Sequence, residues 1–386
     1  MAGYLLARAG IEVVVLEKHA DFFRDFRGDT IHPSTLQIMD ELGLLDDLLK
    51  IPHTQARELS GIVGGTQLTI ADFSAVPGRS KFIALMPQWD LLNFLVERAR
   101  RFAGFRLEMN AQAVDLVREG ERVRGVIANA GASRQTIFAD LVIAADGRHS
   151  VLRERSGLHV RDFGAPMDVL WMRLPRKASD PGTTFGNVAA GGVFVMIDRT
   201  DYYQCALVIA KNGYAALKAR GLEALRQHIA RIAPLAKDRV SAIESWDDVK
   251  LLTVVVDRLE KWYLPGLLCI GDAAHAMSPI AGVGINLAIQ DAVATANILW
   301  QPLKDGTLRT TDLEKVAQRR EAPARQTQRL QVFIQNRLIR PVLSSTKPLR
   351  APRILKWIAS IAWFRQIPAR VVGVGFRPEH VRSPEQ

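Results

Sequence analysis

Two apolar segments that each end in an aspartate beside a glycine constrain the fold of this 386-residue chain more than any other feature. The first is LVIAADGRHS, which reaches Asp146 and Gly147, and the second is LLCIGDAA, which reaches Gly271 and Asp272. Short, continuous apolar runs are typical of strands that are buried on both faces, as in a parallel sheet covered by helices. Ligands of such sheets bind beyond the carboxyl ends of the strands, so both aspartates are candidate ligand contacts.

A third apolar run, IEVVVLE, ends at Glu17 and follows the helix-like segment YLLARAG. We expect this run also to be a strand buried on both faces, and a helix that feeds such a strand is half of a βαβ unit. Between residues 165 and 255 the pattern changes to strands such as VLWMRLP and YYQCALVIA, with one amphipathic helix over 222–232. This order predicts an α/β fold, in which a Rossmann-like domain carries an inserted, mostly antiparallel β-sheet domain and a helical C-terminal tail.

The net charge of +11 lies entirely in the tail. Residues 301–386 hold 17 Lys or Arg against 6 Asp or Glu, whereas the first 300 residues hold 34 of each class. Because the tail shows no zinc-finger, recognition-helix or RNA-recognition signature, we expect no nucleic-acid partner. Its segment ILKWIASIAWF (354–364) is basic and amphipathic, which suits either an anionic membrane surface or packing on the core. We favour packing, because an apolar helical stripe is more often buried than exposed.

Metal, disulfide and membrane functions are not expected. Cys205 and Cys269 are too few for a disulfide scaffold or a cysteine-based zinc site, and His32, His53 and His149 are not clustered in a metal-binding pattern. No stretch approaches the ~20 apolar residues of a spanning helix, and the first residues lack the order of a signal peptide. These features predict a cytoplasmic protein.

Taken together, LARAGIEVVVLEK, LVIAADGRHSVLR and LLCIGDAAHAMSPIAGVGINLAIQDA resemble the aromatic-hydroxylase class of FAD-dependent monooxygenases, which have the fold of p-hydroxybenzoate hydroxylase. The resemblance runs from residue 1 to residue 300, and the ending VGVGFRPEHVR is similar to that of some members. It implies that NADH or NADPH reduces FAD, and that a flavin C4a-hydroperoxide formed with molecular oxygen hydroxylates an aromatic or polycyclic small molecule.

The resemblance also implies which residues hold the cofactor: Glu17, Arg27, Gln88, Asp146, Gly147, Arg153, Gly271, Asp272, Ala273, Gly282, Val283, Gly284 and Asn286. Beyond Pro279 and Gly282, which would position the flavin, it implies no catalytic residue. The boundaries expected for the fold are 1–75, 101–160 and 261–300 for three parts of the FAD-binding domain, 76–100 for a substrate-side strand and helix, 161–260 for the substrate domain and 301–386 for the basic tail.

Physical reasons support several of these assignments, and each has an alternative. The Asp272 carboxylate can accept a hydrogen bond from a ribityl hydroxyl of FAD. A helix that starts within 282–286 would direct unpaired N–H groups at the flavin N1–C2=O edge and favour the reduced form by about 0.3 to 2 kcal/mol. The alternatives are that the glycine-rich loop only caps that helix, that Asp146 caps the helix beginning near Ser150, and that Arg27 is a solvated loop residue.

The beginning of the chain departs from the family pattern. A dinucleotide-binding unit opens with a strand and a G-x-G-x-x-G loop, whereas Met1 falls inside the helix that should follow that loop. Either about 15 to 20 residues lie upstream, or the chain is a damaged, inactive relative. We favour the first explanation because the other cofactor residues are intact.

Two functions compete with hydroxylation. One is a flavoprotein of the same architecture with other chemistry, such as a reductase or a halogenase, although the halogenase motif WxWxIP is absent from the sequence. The other is a remnant without enzymatic activity. For a hydroxylase, Trp171, Phe194 and Met196 are candidates to line the substrate pocket, and a role in the core suits each of them equally.

Overall fold

The structure is a computed structural model that describes residues 1–23, 30–131, 133–180, 184–351 and 361–386. Its strands are β1 Val13–Leu16, β2 Thr30–Ile31, β3 Thr54–Ala56, β4 Glu58–Val63, β5 Thr66–Asp72, β6 Ile83–Leu85, β7 Phe105–Glu108, β8 Ala111–Glu119, β9 Arg122–Ala130, β10 Ser133–Phe138, β11 Val142–Ala144, β12 Val160–Asp162, β13 Met167–Pro175, β14 Phe185–Ala189, β15 Gly192–Asp198, β16 Tyr202–Ala210, β17 Lys250–Leu252, β18 Asp257–Leu259, β19 Tyr263–Leu264 and β20 Leu267–Cys269. Its α-helices are α1 Ala2–Arg8, α2 Pro33–Glu41, α3 Leu45–Leu48, α4 Gln88–Ala99, α5 Val151–Ser156, α6 Tyr214–Ala219, α7 Leu222–Ile232, α8 Gly284–Lys304, α9 Thr310–Ile334, α10 Arg340–Ser344 and α11 Ala362–Gly373.

Two parallel strand pairs form the framework of the α/β part, as the sequence predicts. β1 pairs with β7, and β11 pairs with β20, whose other edge is taken by β19. Every residue of β20 is buried. A large core of α1, α2, α4 and α8 side chains packs beside these strands, and Leu5, Leu36 and Val293 are fully buried in it.

The expectation that β1 is buried on both faces is wrong, because 39% of Val14 is exposed. Helix α1 covers one face of the strand so closely that a Cβ on Gly3 would lie 2.8 Å from Val15 Cγ2. Successive side chains of a strand point to opposite faces, so Val14 projects away from α1. The apolar run therefore indicates a strand but not the number of covered faces.

The predicted antiparallel sheet is present with seven strands in the order β17-β13-β16-β15-β14-β4-β5. All neighbours are antiparallel except β14 and β4, so the sheet also includes strands from residues 58–72. One face packs on α7, whose Leu225 and Ile229 are fully buried against the sheet. The other face packs against apolar side chains of α9, α10 and α11.

The described part of the tail packs on the rest of the protein. Helix α11 lies against β5 and the turn after it, where Gly373 is so near Phe73 that a Cβ would lie 3.0 Å from the ring. Its Ala369 is fully buried, whereas Trp363 is 57% exposed. Residues 354–360 of the amphipathic segment lie outside the described residues. None of the described helices combines the length and the apolar character that crossing a membrane requires.

Candidate functional site

Asp272 and Arg148 form the centre of the candidate site, at the carboxyl ends of two paired strands. β11 and β20 run parallel with Ala144 opposite Cys269, so the loops that follow them leave the sheet side by side. Arg148 Nη2 lies 3.1 Å from Asp272 Oδ2, and about a quarter of each side chain is exposed. This ion pair joins two residues that are 124 positions apart, and it remains accessible to a ligand beyond the strand ends.

Asp146 caps helix α5, and this capping role is the alternative to a cofactor contact that the sequence left open. Ser150 Oγ donates to Asp146 Oδ1, and the Leu152 N–H donates to Asp146 Oδ2 over 3.3 Å. Ser150 Oγ also accepts the Arg153 N–H at 3.0 Å, which satisfies a second free donor at the start of the helix. A contact between Asp146 and the cofactor stays a prediction.

Arg153 connects α5 to the loop that carries Asp272. Its guanidinium donates to Arg148 O at 2.7 Å and to Ala273 O at 3.3 Å, and it pairs with Asp257 at 3.3 Å. These bonds hold the backbone on both sides of the ion pair in place. The cofactor role implied for Arg153 is a prediction beside this observed structural role.

The beginning of the same loop is held by a buried charge cluster. Asp291 Oδ2 on α8 accepts the Gly271 N–H at 3.0 Å and lies 2.6 Å from His275 Nε2, while its Oδ1 accepts Arg320 Nε at 2.9 Å. Burial alone would raise the pKa of Asp291, but His275 and Arg320 more than offset that effect and hold the pKa below its usual value. His275 thus has a structural role in this cluster.

The end of the loop is joined to strand β2 at the start of α8. Asn286 Nδ2 donates to Thr30 O at 3.0 Å and to Gly282 O at 3.2 Å, and Thr30 Oγ1 donates to Gly282 O at 2.9 Å. Gly282 has a φ of +62°, and a Cβ there would collide with Thr30 Oγ1. Only glycine meets both requirements, which is the physical reason for a glycine just before this helix.

His32 is a buried residue of the site to which the sequence analysis assigns no role beyond excluding it from a metal site. Its backbone N–H donates to Asn286 Oδ1 at 2.9 Å, and its ring Nδ1 lies 2.8 Å from Val372 O at the end of α11. Because a carbonyl can only accept, Nδ1 carries the proton and Nε2 is left as an acceptor. Burial lowers the pKa of His32 to about 4. The imidazole is therefore neutral at physiological pH and links α11 to the start of α8.

The residues present fit the FAD that the sequence resemblance implies. Arg148 Nη1 is buried and has no hydrogen-bond partner within the described residues, so a donor is available beside Asp272. Gly147 has a φ of +87°, and a Cβ there would have no described neighbour within 4 Å, which leaves open space over the strand ends. At Gly284 a Cβ would be 3.9 Å from Asp272 Oδ1, so the first turn of α8 begins directly beside the carboxylate. An acceptor, a cationic donor and a helix start meet at one edge, as a polar and anionic cofactor requires.

Other predicted residues lie elsewhere or play a different part. Glu17 follows β1, where its Oε1 accepts the His19 N–H at 3.0 Å, and Gln88 is the first residue of α4. Arg27 lies outside the described residues. The cofactor contacts implied for these three residues stay predictions.

The candidate pocket residues of the sheet divide between its two faces. Phe194 and Met196 are fully buried in the core between the sheet and α7, so they have the core role. Trp171 lies on the opposite face, where it packs with Val195 against side chains of α11 that include Ala369. Within the described residues, this second face adjoins α11, which His32 connects to the start of α8.

Two further groups carry no reactive chemistry. Burial raises the pKa of the Cys269 thiol to about 12 and also raises that of Cys205, so both cysteines are protonated apolar core residues. In the ranges that the structure describes, no three His, Cys, Asp or Glu side chains are grouped as a metal site would require.

Comparisons with known proteins identify the family of the chain. Residues 1–330 match the family described as "FAD binding domain". The chain is 33% identical over 333 residues to the 6-methylpretetramide 4-monooxygenase of Streptomyces rimosus, and this alignment covers 85% of the chain and 79% of the relative.

Solved structures show the same fold. PqsL, a probable FAD-dependent monooxygenase from Pseudomonas aeruginosa, is similar with a TM-score of 0.74 and 23% identity over 89% of this chain and 93% of that one. The flavin-dependent brominase Bmp2 is similar with a TM-score of 0.77 and 16% identity over 96% of this chain and 89% of that one. The fold is thus shared by flavoproteins of different chemistry, and the family match with the 33% identical relative shows that the chain belongs to the FAD-binding family of FAD-dependent monooxygenases.

Proposed function

We propose that the chain hydroxylates a polycyclic aromatic small molecule, with FAD as cofactor, NADH or NADPH as reductant and molecular oxygen as co-substrate. The substrate class is supported by the Streptomyces rimosus relative, which is named for its action on 6-methylpretetramide. The observation that carries the proposal is the meeting of Asp272, Arg148 and the start of α8 at the carboxyl edge of β11 and β20.

Each of these groups has a distinct part in holding the cofactor. Asp272 would accept a hydrogen bond from a ribityl hydroxyl, because a partly exposed carboxylate can accept further hydrogen bonds while it stays paired with Arg148. Arg148 would donate from Nη1, which has no hydrogen-bond partner among the described residues, to an anionic or carbonyl oxygen. The first turn of α8 has N–H groups without partners inside the helix, and its partial positive charge stabilises negative charge that develops nearby.

When bound and reduced by NADH or NADPH, FAD would supply the activation of molecular oxygen. The chain itself binds and orients FAD and the substrate, and it excludes water from them. Pro279 and Gly282 fix the approach of the loop, and the parts of Trp171 and Val195 that α11 leaves uncovered would offer apolar contacts to the rings of the substrate. No acid–base residue is needed in this scheme.

A binding measurement with a matched pair of variants tests the cofactor site. Asp272→Ala removes a charge-assisted acceptor worth about 1.5 to 3 kcal/mol, so the Kd for FAD should rise about 10- to 100-fold. Asp140→Ala is the control, because Asp140 is exposed and lies just before the other end of β11. The Kd is measured by quenching of flavin fluorescence, and equal values for the two variants would refute the role of Asp272.

A product measurement tests the reaction. The protein is supplied with FAD, NADH or NADPH, bromide and a panel of hydroxylated naphthalenes, anthracenes and naphthacenes under ¹⁸O₂. We expect consumption of NADH or NADPH to be coupled to the attachment of one ¹⁸O atom, as a hydroxyl group, to a ring carbon of the product. Brominated product would instead favour a halogenase, and reductant consumption with no product from any compound of the panel would contradict the proposed substrate class.

A further inference from the structure

Three glutamines form a buried row along α9 and the π-helical turn Gln335–Ile339 that continues it. Gln328, Gln331 and Gln335 follow each other at spacings of three and four, so they share one face of the helix. Each is at most 3% exposed. A buried amide costs free energy unless it is hydrogen-bonded, so the row requires partners on the element that it faces.

Those partners are backbone atoms of the loop that leads to α8. Gln331 Nε2 donates to Ser278 O at 2.9 Å and to Ile280 O at 3.1 Å, and its Oε1 accepts the Ser278 N–H at 3.1 Å. One side chain thus binds the backbone on both sides of Pro279. Gln335 Nε2 adds a bond to Ser278 Oγ at 2.7 Å.

Gln328 belongs to the same row but binds earlier in the chain. Its Nε2 donates to Asp257 O at 2.6 Å and to Ala276 O at 3.0 Å, and its Oε1 accepts Arg258 Nη1 at 2.7 Å. Its bonds therefore secure the β18 region and the entry to the loop, and they stop two residues before Ser278. This difference separates the effect of a buried glutamine from the effect of holding Pro279.

Packing alone does not fix this part of the loop. Ile280 and Ala281 border a cavity of about 70 Å³ between α8, α9 and the end of α11, and Gln331 borders the same space. The loop has room to move into this cavity, because a void supplies no contacts that would oppose the motion. Ala281 also holds a left-handed backbone with a φ of +62°, which persists only where the surroundings enforce it.

We propose that Gln331 is a positioning residue for the cofactor site: it sets the position of Pro279 and Gly282, and through them the start of α8 beside Asp272. The inference rests on the proposed function, because that function places FAD at this helix start. Gln331 acts through the loop backbone, and the hydrogen bonds of Asn286 and Thr30 then hold the far end of the same loop.

The substitution Gln331→Glu tests the inference with almost no change of shape. A carboxylate cannot donate to Ser278 O and Ile280 O, and it would place negative charge against both oxygens. We expect amide hydrogen exchange in peptides covering residues 276–283 to become at least about 10-fold faster and the Kd for FAD to rise at least about 10-fold. The midpoint potential of the bound flavin should also shift, because the helix start moves relative to it.

Two control variants carry the same substitution on the same helix. Gln318→Glu changes an exposed side chain that donates to Glu314, so exchange and FAD affinity should match the unsubstituted protein. Gln328→Glu changes a buried member of the row, so it should lower the melting temperature but leave exchange at 278–283 and the flavin potential nearly unchanged.

A pH series distinguishes positioning from general destabilisation. Protonation of the carboxylate that Gln331→Glu introduces restores one donor, and burial together with the facing oxygens of Ser278 and Ile280 favours that neutral form, so FAD affinity should recover partly as the pH falls from about 7 to about 5. Failure to recover, or effects equal to those of Gln328→Glu or Gln318→Glu, would overturn the inference. If the unsubstituted protein binds no FAD, the proposed function fails, whereas the exchange rates still decide whether Gln331 holds the loop.

Discussion

Removal of the guanidinium of Arg320 should destabilise the fold far more than its place on an arginine-rich helix suggests. Arg320 is only 1% exposed, and it pairs with Asp291 at 2.9 Å and with Glu379 at 3.3 Å. In Arg320→Met, Asp291 keeps His275 and Glu379 keeps Arg319, so neither carboxylate is left wholly unpaired. Breaking a buried pair costs about 3 to 5 kcal/mol, and these remaining partners place the expected loss near 3 kcal/mol.

The matched control is Arg325→Met, five residues further along the same helix. Arg325 pairs with Glu321 at 3.1 Å, but both side chains are more than 40% exposed, so the loss should stay within about 1 kcal/mol. Urea unfolding followed by tryptophan fluorescence compares the two variants with the unsubstituted protein. Equal midpoints for Arg320→Met and Arg325→Met would refute the reasoning, because they would mean that burial adds nothing to the ion pair.

The remaining predictions concern pH, backbone strain and the tail. Burial lowers the pKa of His32 from 6.5 to about 4, so the unfolded chain binds more protons than the folded chain between these pH values. The free energy of unfolding should therefore fall by up to about 3 kcal/mol as the pH drops through that window. In His32→Asn the urea midpoint should lack this dependence on pH, and an identical dependence would contradict the assignment. Ala281→Gly should raise the free energy of unfolding by about 0.5 to 1 kcal/mol, because removing the strain of a left-handed alanine outweighs the entropy that glycine adds to the unfolded chain. A lower urea midpoint for this variant would argue against strain at position 281. We expect that the protein does not co-sediment with anionic liposomes at physiological salt, because α11 buries Ala369 against the sheet. Salt-sensitive liposome binding that depends on the exposed Trp363 would contradict this expectation.

The sequence identifies the strand ends and the helix that build the cofactor site. An apolar run followed by Asp and Gly carries its information locally, because burial and the turn after a strand are encoded in a few adjacent residues. For that reason Asp272, Gly282 and the start of α8 are found where the pattern predicts them. The role of Asp146 as a helix cap is also local and could be stated as an alternative from the sequence alone.

Contacts between distant segments could not be predicted in this way. Arg148 meets Asp272 across 124 residues, and Gln331 meets Ser278 across 53, but neither residue type in its local sequence indicates a partner. An arginine or glutamine on a helix is usually solvated, and only tertiary packing makes these side chains buried or half-buried donors.

The sheet shows the same limit in a different form. Only the register of both strands with β16 places Trp171 of β13 on the same face as Val195 of β15. Alternation along β15 by itself puts Phe194 and Met196 on one face and Val195 on the other. It does not indicate which face meets α7 and which meets the tail, because a period of two is the same from either side. The sequence by itself determined the strand ends and the helix start that build the site and the alternation along each strand, and the tertiary structure alone decided which faces are covered and which charged and amide side chains meet around the cofactor site.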